Sequence, residues 1–351
     1  MSWENNVRRV TPYVPGEQPK RKDIIKLNTN ENPYPPAPAV QQVLREFSVD
    51  TLRKYPDPTV GALTKALSEN YCVPEDQIFV GVGSDDVLAM SFMTFFHGDK
   101  PILFPDITYS FYDVWAEEFE IPYETKPLRE DFTICRDDYM CENGGIVIPN
   151  PNAPTGIEAR RDELEMIIAS NPDSVVIIDE AYVDFGAETT LPLIEKYDNL
   201  LVVMTFSKSR SLAGSRIGFA MGSKKLIGYL QDVKYSFNSY TMDSVTSAIG
   251  CAALSDPKYF LETCEKIVET REWTKKELHA LGFSFPDSRT NFIFAKHECW
   301  DAARLFEDLK EAGIYVRYFN KPRIDQYLRI SIGTMEEMQQ LVAFLQDYKQ
   351  V

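Results

Sequence analysis

Five short apolar runs, separated by stretches with helical spacing, constrain the fold of this chain more than any other feature. The runs read IFV, ILF, IVI, VVII and LLVVM, at 78–80, 102–104, 146–148, 175–178 and 200–204. Each run is apolar almost throughout rather than at alternate positions, which is typical of strands buried on both faces of a parallel sheet. The stretches between them, such as DDVLAMSFMTFF and DELEMIIAS, indicate connecting helices. We therefore predict an α/β fold with a mostly parallel central sheet flanked by helices.

The length of 351 residues exceeds the size at which a single hydrophobic core keeps growing, so we expect two domains. The first 38 residues are rich in proline, asparagine and charge and indicate an arm. After about residue 224 the pattern becomes mostly helical, and short strands return between helices near the end. We expect an N-terminal arm with part of the small domain at 1–46, a large domain that holds the central sheet at 47–255 and a small α+β domain at 256–351.

Charge and composition exclude several classes of function. The formal net charge of −16 argues against a nucleic-acid or anionic-membrane partner, because both need clustered Lys and Arg. The six cysteines and three histidines are scattered without metal-ligand spacing, so we expect no metal site and reduced thiols. The N-terminal segment lacks the apolar region of a signal peptide, and no apolar run reaches membrane-spanning length. We expect a cytoplasmic protein that acts on small molecules.

Polar or glycine-rich segments follow the predicted strands, at the edge where ligands bind in open α/β sheets. Asp179 directly follows VVII, and Lys208 comes shortly after LLVVM. The glycine-rich turn GVGSDD occupies 81–86 after IFV, and the loop NPNAPTG occupies 150–156 after IVI. Because the carboxyl ends of parallel strands meet at one edge of a sheet, we expect these groups to share one crevice.

This set of groups fits pyridoxal 5'-phosphate. The coenzyme's aldehyde needs a lysine, and its pyridine nitrogen needs a carboxylate that keeps it protonated. Its phosphate is suited by a helix N-terminus, hydroxyl groups and an arginine, and its ring by an aromatic side chain. A lysine at a strand end is then explained, because its amine is bound to the aldehyde rather than left as an isolated cation. We therefore predict that Lys208 and Asp179 hold this coenzyme.

The chain resembles the histidinol-phosphate aminotransferases, a family of fold type I pyridoxal-phosphate enzymes, over nearly its whole length. The resemblance rests on motifs in the family's order, namely VRRVTPYVPG, LNTNENPYPP, KYPD, GVGSDD, PDITYSFY, PTG, DEAYVDF, SK with LAGSRIG, TNFIFA and YLRISIGT. It implies a homodimer with a large and a small domain. It also implies transamination between L-histidinol phosphate and 2-oxoglutarate, which gives imidazole acetol phosphate and glutamate in histidine biosynthesis.

The resemblance implies roles for residues around the coenzyme. Lys208 is expected to form the Schiff base, Asp179 to pair with the pyridine nitrogen and Tyr182 to reach the ring hydroxyl, and these three are the expected catalytic residues. The other expected contacts are the phosphate ligands Ser84, Asp85, Ser207 and Arg216, the ring-stacking Tyr109, and Tyr55, which should reach the coenzyme phosphate of the partner subunit.

One position departs from the family pattern. The family usually has an asparagine immediately before PTG, and the side chain of that asparagine contacts the ring hydroxyl, whereas this chain has Ala153. We expect Asn152 to reach the same oxygen. The alternatives are that Tyr182 carries the contact alone or that a water bridges it.

The substrate end of the site is also implied by the resemblance. Arg329 in YLRISIG resembles the arginine that takes the substrate's α-carboxylate, or the equivalent end of an amino alcohol. Arg317 in IYVRYF resembles the arginine of the distal phosphate, and Tyr13 in TPYVPG resembles the tyrosine that helps close the phosphate pocket. Asn238 in YSFNSY is expected to contribute to the same site.

Other functions fit parts of the pattern. A threonine-phosphate decarboxylase or an aromatic amino acid aminotransferase would share the fold and the coenzyme. A pyridoxal-phosphate-binding sensor would need a basic DNA-binding module ahead of the first strand, where only a short arm is found. A nucleotide-dependent oxidoreductase would use GVGSDD, but it gives no role to Lys208 and lacks the acidic residue expected about twenty residues further on.

Overall fold

The structure, a computed structural model, describes residues 2–21 and 23–349. Strands and helices alternate along most of the chain, as the apolar runs predict. The strands are β1 (Ile25–Lys26), β2 (Ile78–Gly81), β3 (Ile102–Pro105), β4 (Tyr123–Lys126), β5 (Gly145–Pro149), β6 (Val176–Asp179), β7 (Leu200–Thr205), β8 (Gly218–Gly222), β9 (Phe283–Ser284), β10 (Phe292–His297), β11 (Ile314–Tyr315), β12 (Arg317–Tyr318) and β13 (Leu328–Ser331). The α-helices are α1 (Pro38–Glu46), α2 (Gly61–Tyr71), α3 (Ser84–Phe95), α4 (Tyr112–Glu118), α5 (Arg161–Ser170), α6 (Lys224–Phe237), α7 (Ser244–Leu254), α8 (Pro257–Ala280), α9 (Ala302–Glu311) and α10 (Met335–Asp347).

The central sheet has seven strands in the order β2-β8-β7-β6-β5-β3-β4. Its strands are parallel except β8, which runs antiparallel to both β2 and β7. All five apolar runs of the sequence are strands of this sheet. The prediction of a mostly parallel central sheet is therefore confirmed.

Both faces of the central sheet are buried. Successive residues of one strand point to opposite faces, and in β5 Ile146 and Ile148 belong to one apolar cluster whereas Val147 belongs to another. In β6, Ile178 and Ile177 divide between the same two clusters. Helices that cover each face explain why these runs contain no alternating polar residues.

A second, smaller sheet lies in the C-terminal part of the chain. It has four antiparallel strands in the order β12-β13-β10-β9, packed with α8, α9 and α10. Near the N-terminus, β1 pairs in parallel with β11, so the chain's start joins its C-terminal part. In contrast α1, at 38–46, packs against α7, which also packs against α2. The division into domains at residues 46 and 255 stays a prediction.

The described ranges, 2–21 and 23–349, contain no helix that is both long enough and apolar enough to cross a membrane. Within the same residues there is no group of three His, Cys, Asp or Glu side chains that could hold a metal ion.

Candidate active site

A crevice lies at the carboxyl edge of the central sheet, where β2, β5, β6 and β7 end. It contains about 610 Å³ of space free of protein atoms, its open mouth included. Thirteen residues line it: Ser84, Asp85, Tyr109, Pro149, Pro151, Ala153, Asp179, Ala181, Tyr182, Ser207, Lys208, Ala213 and Arg216. Eight of the residues that the sequence assigns to the coenzyme are among them.

Asp179 is the last residue of β6 and is 5 % exposed. Its Oδ2 accepts a hydrogen bond of 2.8 Å from the hydroxyl of Tyr112, and its Oδ1 accepts one of 3.2 Å from the backbone N–H of Ala181. Burial raises the pKa of Asp179 to about 6, although the two hydrogen bonds act in the opposite direction. A cation next to this carboxylate would favour its charged form, and a protonated pyridine nitrogen is such a cation.

Tyr112 is a contact of Asp179 that the sequence did not predict. Its side chain is fully buried, and burial together with the charge of Asp179 holds its pKa well above the ordinary value. It therefore stays a hydrogen-bond donor across the working pH range. Tyr112 is the first residue of α4 and follows Tyr109 by three residues in PDITYSFY. This spacing, about one helical turn, could have indicated that both side chains lie on the same side of the chain.

Lys208 follows β7 and points towards the N-terminal segment of the chain. Its Nζ donates a hydrogen bond of 3.2 Å to the carbonyl oxygen of Thr29 and lies 5.7 Å from the centre of the Tyr182 ring. The amine is thus held at the crevice by one neutral acceptor and one aromatic ring. This placement leaves it available to react with an aldehyde bound beside Asp179.

An anion cradle lies at the start of α3. The residue before this helix is Gly83, which has φ +90 and gives the helix no side-chain cap. A Cβ at Gly83 would lie 2.5 Å from Nη2 of Arg216, so glycine allows the guanidinium to cover the helix start. Nη1 of the same arginine lies 3.5 Å from the hydroxyl of Ser207. A helix N-terminus, a guanidinium and a hydroxyl together suit a phosphate.

The carboxylate of Asp85 is hydrogen-bonded to other side chains of the protein. Its two oxygens accept hydrogen bonds of 2.9 Å from Arg216 and 2.8 Å from the hydroxyl of Tyr109. Burial and the charge of Asp85 raise the pKa of Tyr109 well above its ordinary value. The backbone N–H of Asp85, near the start of α3, is therefore the group of this residue that an anion could use.

Asn152 is not among the residues that line the crevice. Its Nδ2 donates hydrogen bonds of 3.0 Å each to the carbonyl oxygen of Ile107 and to the hydroxyl of Thr155, and its Oδ1 accepts one of 3.2 Å from Thr108. These three bonds stabilise the loop, and the prolines on either side restrict its backbone further. Ala153 lines the crevice instead.

Asn30 is a second contact that the sequence did not predict. Its Nδ2 donates a hydrogen bond of 2.9 Å to the hydroxyl oxygen of Tyr182, which itself lines the crevice. Asn30 is 1 % exposed and does not itself line the crevice, so it supports the lining residue Tyr182 from the protein interior. The asparagine-rich segment LNTNENP could have indicated such a contact. Buried amides are almost always hydrogen-bonded, so a buried asparagine in this segment needs a partner.

A second groove adjoins the crevice and is lined by Tyr13 and Arg317, among others. Arg317 on β12 lies directly opposite Arg329 on β13, so two guanidinium groups project from neighbouring positions of one sheet. Nη2 of Arg329 donates a hydrogen bond of 3.1 Å to the carbonyl oxygen of Asn28, whereas its Nε has no partner within the described part of the chain. Burial, followed by the nearby charge of Arg317, lowers the pKa of Arg329. An anion in this place would relieve both effects.

Tyr13 is held in this groove by stacking. Its ring lies 4.1 Å from that of Phe111 with an interplanar angle of 25°. The neighbouring Val14 supplies a carbonyl oxygen 3.4 Å from Nη2 of Arg317. The arm therefore reaches the groove, and the structure brings Tyr13, Arg317 and Arg329 to the same end of the site.

Two predicted residues lie apart from both cavities. Tyr55 is 84 % exposed and packs against Tyr240, with ring centres 4.9 Å apart. Asn238 is exposed at the end of α6. Neither lines the crevice or the groove of this chain. A role for Tyr55 in a partner subunit's site stays a prediction, as does a substrate contact for Asn238.

Comparison with known proteins agrees with this geometry. A family model described as aminotransferase class I and II matches residues 22–345. A histidinol-phosphate aminotransferase from Lactococcus lactis subsp. cremoris (strain MG1363) is 53 % identical over 348 residues, which are 99 % of this chain and 98 % of the relative.

Among solved structures, a histidinol-phosphate aminotransferase from Sinorhizobium meliloti in complex with pyridoxal-5'-phosphate superposes with a TM-score of 0.83 at 25 % identity, covering 92 % of this chain and 89 % of that one. An L-threonine-O-3-phosphate decarboxylase from Porphyromonas gingivalis reaches a TM-score of 0.79 at 22 % identity, covering 92 % and 98 %, and shows the fold alone. The chain belongs to the class I and II aminotransferases and, within them, to the histidinol-phosphate aminotransferases.

Proposed function

We propose that this enzyme transfers the amino group of L-histidinol phosphate to 2-oxoglutarate, giving imidazole acetol phosphate and glutamate in histidine biosynthesis. The observation that carries the proposal is the pairing of two sites. The crevice with Lys208 and Asp179 suits pyridoxal 5'-phosphate, and the adjoining groove, lined by Tyr13 and Arg317, suits a second phosphate. The relatives that share half of this sequence carry the name of the same reaction.

The residues of the crevice fit the coenzyme. When bound, pyridoxal 5'-phosphate supplies a reactive aldehyde and a ring that accepts electrons from the substrate's α-carbon. Lys208 would hold the aldehyde and, once displaced by the substrate's amine, would accept the proton from that carbon as a general base. Asp179 would hold a proton on the ring nitrogen. Arg216 and Ser207, with the start of α3, would hold the phosphate.

The groove would hold the phosphorylated end of the substrate. Arg317 lines the groove, and Arg329, which lies opposite it on β13, would take the end of the substrate that corresponds to an α-carboxylate. Arginine is suited to bidentate binding of phosphate, and partial burial strengthens the attraction. Tyr13 closes the groove from the arm through its stacking on Phe111. Because Ala153 lines the crevice and Pro154 the groove, a substrate could extend from one into the other.

The proposal includes a homodimer in which Tyr55 reaches the coenzyme phosphate of the partner subunit. Support comes from exposed large apolar side chains: Tyr55 packs on the exposed Tyr240, and the exposed Val49 and Leu52 closely precede Tyr55 in the chain. Clustered exposed apolar side chains of this kind mark interaction surfaces. We also propose the two-domain division given above and a cytoplasmic location, which six free cysteines support because reducing compartments keep thiols unpaired.

The test is an amino-transfer assay with paired substrates. The coenzyme-loaded enzyme is incubated with L-histidinol phosphate and 2-oxoglutarate, and glutamate is measured. A second incubation contains O-phosphothreonine, and carbon dioxide is measured. We expect glutamate in the first tube and no carbon dioxide in the second. Carbon dioxide from phosphothreonine, without glutamate from histidinol phosphate, would replace this function by that of the decarboxylase.

A further inference from the structure

The wall of the crevice lacks an amide at the position next to the expected ring hydroxyl of the coenzyme. Ala153 occupies that position, and the amide of Asn152 is used by Ile107, Thr155 and Thr108. Asn150 is not a lining residue, and its Oδ1 accepts a hydrogen bond of 2.7 Å from the backbone N–H of Ala159. Neither asparagine side chain of the loop 150–156 lines the crevice, although Nδ2 of Asn150 has no partner within the described residues, and Tyr182 is the lining side chain expected to meet the ring oxygen.

The orientation of the Asn30 amide is fixed by Ser331. The backbone N–H of Asn30 donates a hydrogen bond of 2.9 Å to the hydroxyl oxygen of Ser331. That hydroxyl in turn donates one of 2.9 Å to Oδ1 of Asn30. Because Oδ1 faces Ser331, the NH₂ group must face the other way, towards Tyr182.

This orientation determines what the hydroxyl of Tyr182 can do. An amide NH₂ group only donates, so the oxygen of Tyr182 accepts the 2.9 Å bond from Asn30. The hydrogen of the hydroxyl is then free to be donated to another acceptor. The ring of Tyr182 is itself held edge-on against the buried Phe292, at 5.1 Å and 90°, so the rotation of the hydroxyl is the freedom that Asn30 removes.

We propose that Asn30 is a positioning residue that compensates for the missing amide at position 153. It makes Tyr182 a dedicated donor to the ring oxygen of the coenzyme. The inference rests on the proposed function, since it needs the coenzyme in the crevice. Asn30 also links the crevice to the smaller sheet, because its partner Ser331 lies on β13. In addition, Nδ2 of Asn291 donates a hydrogen bond of 2.9 Å to the carbonyl oxygen of Asn30.

The test compares four proteins, namely the wild type, Asn30→Ala, Ala153→Asn and the double variant, all loaded with coenzyme. The readouts are the midpoint pH at which the visible absorption band of the bound coenzyme changes, and the dissociation constant of the coenzyme. Loss of a hydrogen-bond donor makes the ring oxygen more basic. We expect Asn30→Ala to raise the midpoint by about one pH unit and to weaken coenzyme binding by about tenfold.

The double variant gives the decisive comparison. Ala153→Asn supplies an amide from the loop, so it should reverse most of the shift in the Asn30→Ala background and lower the midpoint less in the wild type, where Tyr182 already donates to the ring oxygen. A simple structural role for Asn30 would give no such rescue. An unshifted midpoint in Asn30→Ala, or the same shift with Ala or Asn at position 153, overturns the proposal.

Two further variants guard against misfolding, since Asn30 has φ +57 and Ala tolerates this conformation less well. Asn30→Asp keeps a residue suited to that conformation but replaces the donor by an acceptor, and should shift the midpoint in the same direction. Ser331→Ala frees the amide to turn and should give a smaller shift of the same sign. If the wild type itself binds no coenzyme, the proposed function fails. If the wild type binds the coenzyme but the variants do not show the expected shifts in the midpoint pH, only the role of Asn30 is contradicted.

Discussion

The coenzyme crevice and the phosphate groove are built in different ways. In the crevice, Asp179 ends a strand of the central sheet and Lys208 follows another, so the hydrogen bonds of the sheet fix their positions. In the groove, Tyr13 lies in an arm without helix or strand from 8 to 21, and Arg317 lies on a strand of two residues. Under the proposed function, the central sheet carries the coenzyme chemistry, whereas segments outside that sheet hold the substrate's phosphate.

The largest expected effect is at Lys208 in the crevice. Lys208→Ala removes both the amine that holds the coenzyme and the base at the substrate's α-carbon, so amino transfer should fall at least ~10⁴-fold. The measurement is initial-rate kinetics with histidinol phosphate, together with the visible spectrum. Lys258→Ala, which alters only an exposed lysine paired with Glu262, is the control and should behave as wild type. Near-normal transfer without Lys208 would contradict the account.

The buried carboxyl of Asp179 should cost stability when the coenzyme is absent. Its pKa is raised from 3.8 to about 6, so the folded state loses stability as pH rises through this window, and the loss is complete above it. A difference of about two units corresponds to about 3 kcal/mol. Asp179→Asn should therefore raise the free energy of unfolding of the coenzyme-free protein by about that amount at pH 7.5.

The same variant should differ little from wild type below about pH 4, where both side chains are neutral. Chemical denaturation of the coenzyme-free proteins at the two pH values measures this. An Asp179→Asn protein that is equally stable or less stable at pH 7.5 would show that burial does not disfavour the charge.

The groove is expected to act on substrate binding alone. Arg317→Ala removes a charged partner of the distal phosphate, so kcat/KM for histidinol phosphate should fall about 10–100-fold, mainly through KM. The spectrum and affinity of the coenzyme should not change. Arg304→Ala, at an exposed arginine paired with Asp308, is the control. If unphosphorylated histidinol lost as much efficiency as histidinol phosphate, Arg317 would not be the phosphate ligand.

The smallest expected effect is at Tyr112, which touches Asp179 and not the substrate groove. Tyr112→Phe removes one of two hydrogen bonds to the buried carboxylate, which should raise the pKa of Asp179 further and weaken coenzyme binding about tenfold. Equilibrium titration of the coenzyme-free protein over a pH series measures this. A loss that is equal at pH 5 and pH 8 would argue for a packing defect instead.

The same comparison explains how much the sequence could predict. An apolar run marks both a strand and its end, so the residue pattern alone assigns Asp179 and Lys208 to one edge of the sheet. The contact between Asn30 and Ser331 joins residues 301 positions apart, and no local pattern reports such a pairing.

Asn152 illustrates a limit inside a single loop. The sequence shows an asparagine one residue away from the usual position, but not the direction of its side chain. The structure shows the amide bonded to Ile107 and Thr155, and Asn152 is not among the residues that line the crevice. A shift of one residue changes which face of the backbone a side chain leaves from, and the amide then takes the nearest available partners.

The central claim is that the crevice at the end of β6 and β7 holds pyridoxal 5'-phosphate through Lys208. The most direct measurement is reduction of the coenzyme-loaded protein with borohydride, followed by digestion and mass mapping of the modified peptide. The account predicts one coenzyme per chain, fixed on Lys208. Modification of another lysine, or no modification of a protein that still transfers amino groups, would contradict it.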